Sequence, residues 1–119
     1  MKIAITSRGK DLDAQVDPRF GRAAYIVLVD SETLAFEVID NSENLNAFKG
    51  AGIQAATMIS DKGADVLLTG HCGPNAYKAL DAAGVKVAND AQGTIRDVVA
   101  AFNAGQFTFA TEADVDGHW

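Results

Sequence analysis

Apolar and polar positions along this chain change period several times, and each change marks an element. Lys2 to Thr6 reads as an apolar first strand, with Ile3 and Ile5 on one face and Ala4 and Thr6 on the other. Ser7 to Arg22 is polar and has no sustained period. It is long for a connection in a compact domain, and such loops are usually functional or mobile. Ala24 to Val29 and Ala35 to Ile39 read as a hairpin around Asp30-Ser-Glu-Thr-Leu34. The first of these runs is nearly all apolar and should be central. The second sets Phe36 and Val38 against Glu37 and Ile39 and should lie nearer an edge. Asn41 to Lys49 is a polar linker expected to be mobile. From Ala51 the period becomes helical, with Ile53, Ala56 and Ile59 assigned to one face and Gly63 placed as the stop.

A short apolar strand comes next at Asp65 to Leu68, and a helix beginning at Pro74 carries Ala76, Leu80 and Ala83 on one face and stops at Gly84. Val85 to Ala88 is another strand and Asn89 to Gly93 a second turn. Ile95, Val98, Val99 and Phe102 then give the strongest amphipathic signal in the chain, closed by Gly105. Thr94 and Asp97 resemble a capping box with Asp in place of Glu. Phe107 and Phe109 can anchor the segment beyond. The strict strand–helix alternation of the second half calls for parallel strands with helices covering the sheet, and the hairpin adds one antiparallel strand. The expected fold is α/β, a ribonuclease H-like three-layer arrangement of a mixed five-stranded sheet with flanking helices. Residues 1–107 form one domain in this reading, and 108–119 an acidic tail expected to be partly disordered.

Composition narrows the function. With 119 residues, 48% of them hydrophobic, the chain has apolar material for one real core. A net charge of −6 argues against a general nucleic-acid or acidic-membrane surface, though a local basic patch is compatible with it. One cysteine excludes an internal disulfide. With no signal-peptide pattern and no long apolar span, a reducing cytoplasm is the expected compartment.

The chemistry concentrates in Thr69-Gly-His-Cys-Gly-Pro-Asn-Ala-Tyr77, a strand-to-helix turn of the kind that binds ligands at a sheet's carboxyl edge. Pro74 suits the first helical position, so the helix starts sharply, and its free N–H groups and dipole favour an anion. His71 and Cys72 stand beside that end. A soft thiol, an imidazole and an anion-favouring helix start point to an anionic metal–sulfur species. Each residue also has a plainer reading: Cys72 as a buried inert thiol, His71 bonded to a backbone carbonyl, Arg19 and Arg22 as solvated charges or partners of Asp13 and Asp17. Asn75 is expected to fix the turn through its side chain.

The opening Met-Lys-Ile-Ala-Ile, Phe20-Gly-Arg-Ala23 leading to Tyr25, Gly50-Ala-Gly-Ile53 and Gly73-Pro-Asn-Ala76 occur in order over residues 1 to about 105. Together they resemble the dinitrogenase iron-molybdenum cofactor biosynthesis family. Within it the chain looks most like a small member that binds a molybdenum-copper sulfide cluster without being an obvious enzyme. The resemblance implies a ribonuclease H-like fold and binding or carriage of an anionic heterometal-sulfide cofactor. It also suggests partner ATPases and cluster donor or acceptor proteins. Many relatives carry Asn and an aliphatic residue where this chain has His71 and Cys72, so no family ligand set transfers to those two positions. The expected contacts are Arg19, Arg22, Arg8, Gly73 and Asn75 to the cluster, with Cys72 and His71 as the metal ligands. A polyanionic thiometallate could equally be held by Arg19, Arg22 and backbone N–H groups alone.

Catalysis is not expected. A two-metal nuclease needs carboxylates on central strands, and Lys2 to Thr6 has none. P-loop and hydrolase-elbow sequences are absent. The competing reading is a regulatory protein-interaction module without a bound cluster.

Overall fold

The computed structural model describes residues 1–41 and 51–110. Five strands, β1 (Lys2–Ser7), β2 (Tyr25–Asp30), β3 (Phe36–Asp40), β4 (Val66–Leu68) and β5 (Lys86–Ala88), form one sheet in the order β3-β2-β1-β4-β5. β2 runs antiparallel to both β1 and β3, while β1, β4 and β5 are parallel. Among the described residues three helices cover the sheet: α1 (Ala51–Asp61), α2 (Pro74–Ala82) and α3 (Ile95–Asn103). The expected mixed five-stranded α/β architecture is therefore present, with strand limits within one residue of the sequence reading.

Alternation along the strands divides the core in two. Ala4, Ile26, Leu28, Leu67 and Val87 face α1 and α2, where Ala55, Ala56, Ile59 and Leu80 meet them. Ile3, Ile5, Val27, Val29, Val66 and Leu68 face the other way, onto Ile95, Val98 and Val99 of α3. β2 is an internal strand, beside the central β1, and β3 is an edge strand, as its mixed pattern required. Two helical faces differ from expectation. Ile53 is 44% exposed, because α1 buries Ala51, Ala55, Ala56 and Ile59, a stripe that Ile53 lies outside at 100° per residue. Ala83 is exposed because α2 ends one residue earlier and the chain turns at Gly84.

The segment Ser7 to Arg22 is docked on the sheet end. Ser7 and Val16 pair as an antiparallel bridge, the Arg8 N–H donates to Gln15 O at 2.9 Å, and Leu12 and Val16 are buried against the α3 side of the core. Burying two such side chains stabilises the segment by about 1.5–3 kcal/mol each relative to exposure. The loop in turn finishes α3. Ala14 O and Leu12 O accept the N–H groups of Ile95 and Arg96, and Thr94 Oγ1 accepts that of Asp97 at 3.1 Å. The helix start that Thr94 caps is thus satisfied from within the protein.

Asn41, assigned to the polar linker, is buried instead. Its Nδ2 donates to Ala23 O at 2.8 Å and Gly21 O at 3.4 Å, tying the end of β3 to the segment before β2. The remainder of that linker, 42–49, lies outside the described residues. The chain after α3 returns to β5, where the Ala110 N–H donates to Val87 O at 2.7 Å and the Tyr77 hydroxyl donates to Ala110 O at 3.2 Å. Of the expected tail, Ala110 is held in this way while Thr108 and Phe109 are exposed, and 111–119 lie outside the described residues. At the hairpin turn the Asp30 carboxylate accepts the N–H groups of Thr33 and Glu32, which hold its pKa below the ordinary carboxylate value.

Two substitutions test this framework. Thr94→Ala removes the α3 cap and should lower stability by about 1 kcal/mol in a denaturant melt. Gly70→Ala should do more. A β-carbon there would stand 2.5 Å from Pro18 Cα and 2.6 Å from its carbonyl oxygen, backbone atoms that cannot rotate away. We expect a loss of about 1–3 kcal/mol, with faster hydrogen exchange at the amides of His71 and Phe20. Exchange unchanged from wild type would show that the two segments do not depend on this approach.

Candidate functional site

β1 and β4 are parallel neighbours, so their carboxyl ends emerge side by side, and a chain of hydrogen bonds joins the two segments that continue from them. Thr6 and Thr69, both fully buried, share a hydroxyl–hydroxyl bond of 2.9 Å, and Thr6 Oγ1 also donates to Asp17 O. The Asp17 N–H donates back to Thr6 O at 2.9 Å. This fixes the far end of the long loop directly above the β1–β4 seam. Pro18 to Phe20 then lies alongside Gly70 to Cys72 as a short parallel pair. The His71 N–H donates to Pro18 O at 2.7 Å, the Phe20 N–H donates to His71 O at 3.2 Å, and Arg19 and His71 are bridge partners.

That pairing decides where the side chains go. Bridge partners in a parallel pair project to the same side and their neighbours to the other. Phe20 and Cys72 fall on the inner side, 5% and 0% exposed, in the apolar cluster with Ala4, Ala76 and Leu80. Arg19 and His71 leave on the outer side, Arg19 exposed and His71 half-buried. The Cys72 thiol lies 3.7 Å from Gly73 O. Of the two readings open for Cys72, burial is the conformation present.

Arg22 closes a tight turn over Arg19, its N–H donating to Arg19 O at 3.3 Å. Gly21, at the third position of that turn, has φ +90°, which side-chain-bearing residues avoid. A β-carbon on Gly21 would also meet Gly52 Cα and N at 2.9 Å, and one on Gly52 would meet Ala76 Cβ at 3.0 Å. Gly21, Gly52 and Ala76 belong to three of the motifs that carry the family resemblance. Their lack of bulk lets the arginine turn, the start of α1 and the start of α2 pack against one another.

At α2, Gly73 is the N-cap with no side-chain cap bond, and Pro74 occupies the first turn. Among the described residues no acceptor is placed on the N–H groups of Asn75 and Ala76. The contrast with α3 is clear, since its first donors are taken by the loop. Asn75 is exposed, and no hydrogen bond from its side chain to the turn, as the sequence suggested, occurs among the described residues. Arg19 Nε lies 3.9 Å from Asp17 Oδ1, so the plainer reading of Arg19 as an Asp17 partner is realised, loosely and half-exposed. Asp13 pairs instead with Arg96 at 3.3 Å. Arg8, one residue past β1, is exposed, and no contact joins it to Arg19, Arg22 or His71 among the described residues.

The structure therefore gathers Arg19, Arg22, His71 and the Gly73–Asn75 helix start at one edge, with Cys72 beneath. It does not form a protein metal cage: no group of three or more His, Cys, Asp or Glu side chains is arranged to hold a metal ion among the described residues. Two cavities, about 240 Å³ beside Tyr77 and Lys86 and about 290 Å³ beside Lys2 and Phe36, adjoin none of these residues. Sequence reading named Asp17 only as an arginine partner and gave no role at the site to Thr6, Thr69 or Asn41. Polar residues in or beside apolar runs were the available signal, since such groups are buried only with partners.

Comparison with known proteins places the chain in a family and supports its fold. The family described as dinitrogenase iron-molybdenum cofactor matches residues 1–105. The apo form of the orange protein from Desulfovibrio gigas is 47% identical, with 96% of each chain covered and a TM-score of 0.93. A Thermotoga protein provisionally described as a NifB protein, of the DUF35 family, is 34% identical over 98% of each chain, with a TM-score of 0.83. A Methanocaldococcus jannaschii protein provisionally described as a dinitrogenase shares the fold at 16% identity, with a TM-score of 0.70 over 94% of this chain and 96% of its own. No curated protein matches. The chain belongs to the dinitrogenase iron-molybdenum cofactor family.

Proposed function

We propose that this protein binds and carries an anionic metal-sulfide cluster, of the molybdenum-copper sulfide type or a related one, and performs no catalysis on it. The observation that supports this most directly is the Arg19–His71 bridge, which sets a two-arginine turn beside the uncapped start of α2. On an acidic chain, that is a local site for an anion. In this reading Arg19 and Arg22 neutralise the cluster, the N–H groups after Gly73 contact its sulfides, and His71 donates a hydrogen bond or ligates. Gly73 and Asn75 contribute as the approachable helix start, and Arg8 is an outer contact.

Cys72 ligation would require the 71–73 segment to peel away from Phe20, so the resting hold is electrostatic. The β3-β2-β1-β4-β5 order with β2 antiparallel supports assigning the fold to the ribonuclease H-like type. Residues 1–107 are the proposed cluster-binding domain. Cluster donor and acceptor proteins, and the partner ATPases suggested by the family, complete the proposal, with a reducing cytoplasm suited to thiometallates. No helix among the described residues is long and apolar enough to cross a membrane.

The test is anaerobic incubation of metal-free protein with tetrathiomolybdate and copper(I), then desalting, metal and sulfide analysis and an absorption spectrum. A coloured protein of defined stoichiometry is expected. Folded, colourless, metal-free protein would instead favour the interaction-module reading. Arg19→Ala and Arg22→Ala should each weaken uptake by roughly tenfold or more, since a charge-assisted hydrogen bond contributes about 1.5–3 kcal/mol.

Cys72→Ser should keep near-normal uptake while lowering stability by on the order of 1–2 kcal/mol. Abolished uptake in that variant would show direct sulfur ligation.

A further inference from the structure

We propose that Asp17 is a positioning residue of the anion site and sets the anion charge that the site favours. This rests on the reading of the arginine turn as a thiometallate site.

Among the described residues, Asp17 is an acidic residue built into that turn's support. Its backbone is bolted to Thr6 from both sides, and only 8% of the residue is exposed. Its Oδ1 accepts the Arg19 N–H at 3.0 Å, an Asx-type bond that fixes the backbone from which the guanidinium departs. The same oxygen faces Arg19 Nε at 3.9 Å, too long for a bidentate pair, and the Arg19 side chain is 51% exposed. No protein acceptor is placed on the two terminal nitrogens of Arg19 among the described residues. The arrangement holds the near side of the guanidinium and presents its far side outward.

Asp17 therefore has two separable effects. As a hydrogen-bond acceptor it orders the turn. As a fixed negative charge it competes with any anion for Arg19, and the repulsion grows in proportion to the anion's charge. From Asp17 to Arg22 the segment carries one net positive charge, and Asp17→Asn makes it two. Asn keeps an oxygen for the Arg19 N–H, whereas Ala removes both the acceptor and the charge.

The experiment measures equilibrium binding of tetrathiomolybdate, a dianion, and tetrathioperrhenate, a tetrahedral monoanion of similar shape, to wild type, Asp17→Asn, Asp17→Ala and Arg19→Ala. Thermal melts confirm folding, and hydrogen exchange is read at the Arg19 amide. Asp17→Asn should bind the dianion about three- to tenfold tighter, with roughly the square root of that gain for the monoanion. Its salt dependence should steepen. Asp17→Ala should bind more weakly than Asp17→Asn and alone show faster exchange at Arg19.

A purely structural role for Asp17 would not separate the two anions by charge. Asp17→Asn binding both anions as wild type does, while Arg19→Ala has lost binding, would overturn the charge role and leave the site reading standing. Equal affinity and exchange in the Asn and Ala variants would overturn the positioning role. If wild type binds neither anion, the site reading falls and this proposal with it.

Discussion

Everything at the candidate site depends on the close approach of Pro18 to Gly70. Two backbone segments from distant parts of the sequence run side by side only because residue 70 has no β-carbon, and the approach is short enough that no side chain could relax to admit one. That contact produces the bridge between Arg19 and His71 and the inward turn of Phe20 and Cys72. The buried hydroxyls of Thr6 and Thr69 give the loop a fixed seat at the seam of two parallel strands. A buried hydroxyl pair is tolerable because each oxygen has a partner, and the same bonds specify the loop's register.

The sheet and helices were legible because they rest on period. Runs such as Tyr25 to Val29 and the Ile95, Val98, Val99 stripe bury their apolar faces wherever the chain takes them. The helix at Ala51 was read correctly as a helix but with Ile53 on the wrong face, since a stripe defined by small alanines carries a weak hydrophobic signal. Arg19, His71 and the Gly73 helix start could be named from motifs, yet nothing local indicated that Arg19 and His71 are neighbours across more than fifty positions of chain. That pairing is tertiary, made by backbone atoms that every residue possesses. Asn41 was unreadable for a related reason. Its sequence surroundings are polar, and only the fold reveals that Ala23 O needs a donor there.

The alternation across the Pro18–Phe20 and Gly70–Cys72 pair settles a tension inherent in the sequence. His71 and Cys72 are adjacent and both chemically able to bind metal, but adjacent residues in an extended segment point to opposite faces. One faces outward with Arg19, and the other joins the core. A thiol at 0% exposure is kept from solvent. The glycines at 21 and 52 also act through lack of bulk, letting the arginine turn approach the start of α1 and the start of α1 approach that of α2.

A carrier must release what it holds, and this constraint favours a site of charges and backbone donors over a cage of ligands. Metal–thiolate bonds would bind a cluster firmly and exchange it slowly. A half-exposed arginine turn in high-dielectric surroundings, if it is the site as proposed, would hold an anion by interactions that a competing acceptor can match one at a time. On the proposed reading, an overall charge of −6 works in the same direction, since a polyanion at the arginine turn would sit in a positive locality on a chain whose net charge repels it. On that reading the hold is local, since exposed charges separated by more than about a Debye length are largely screened.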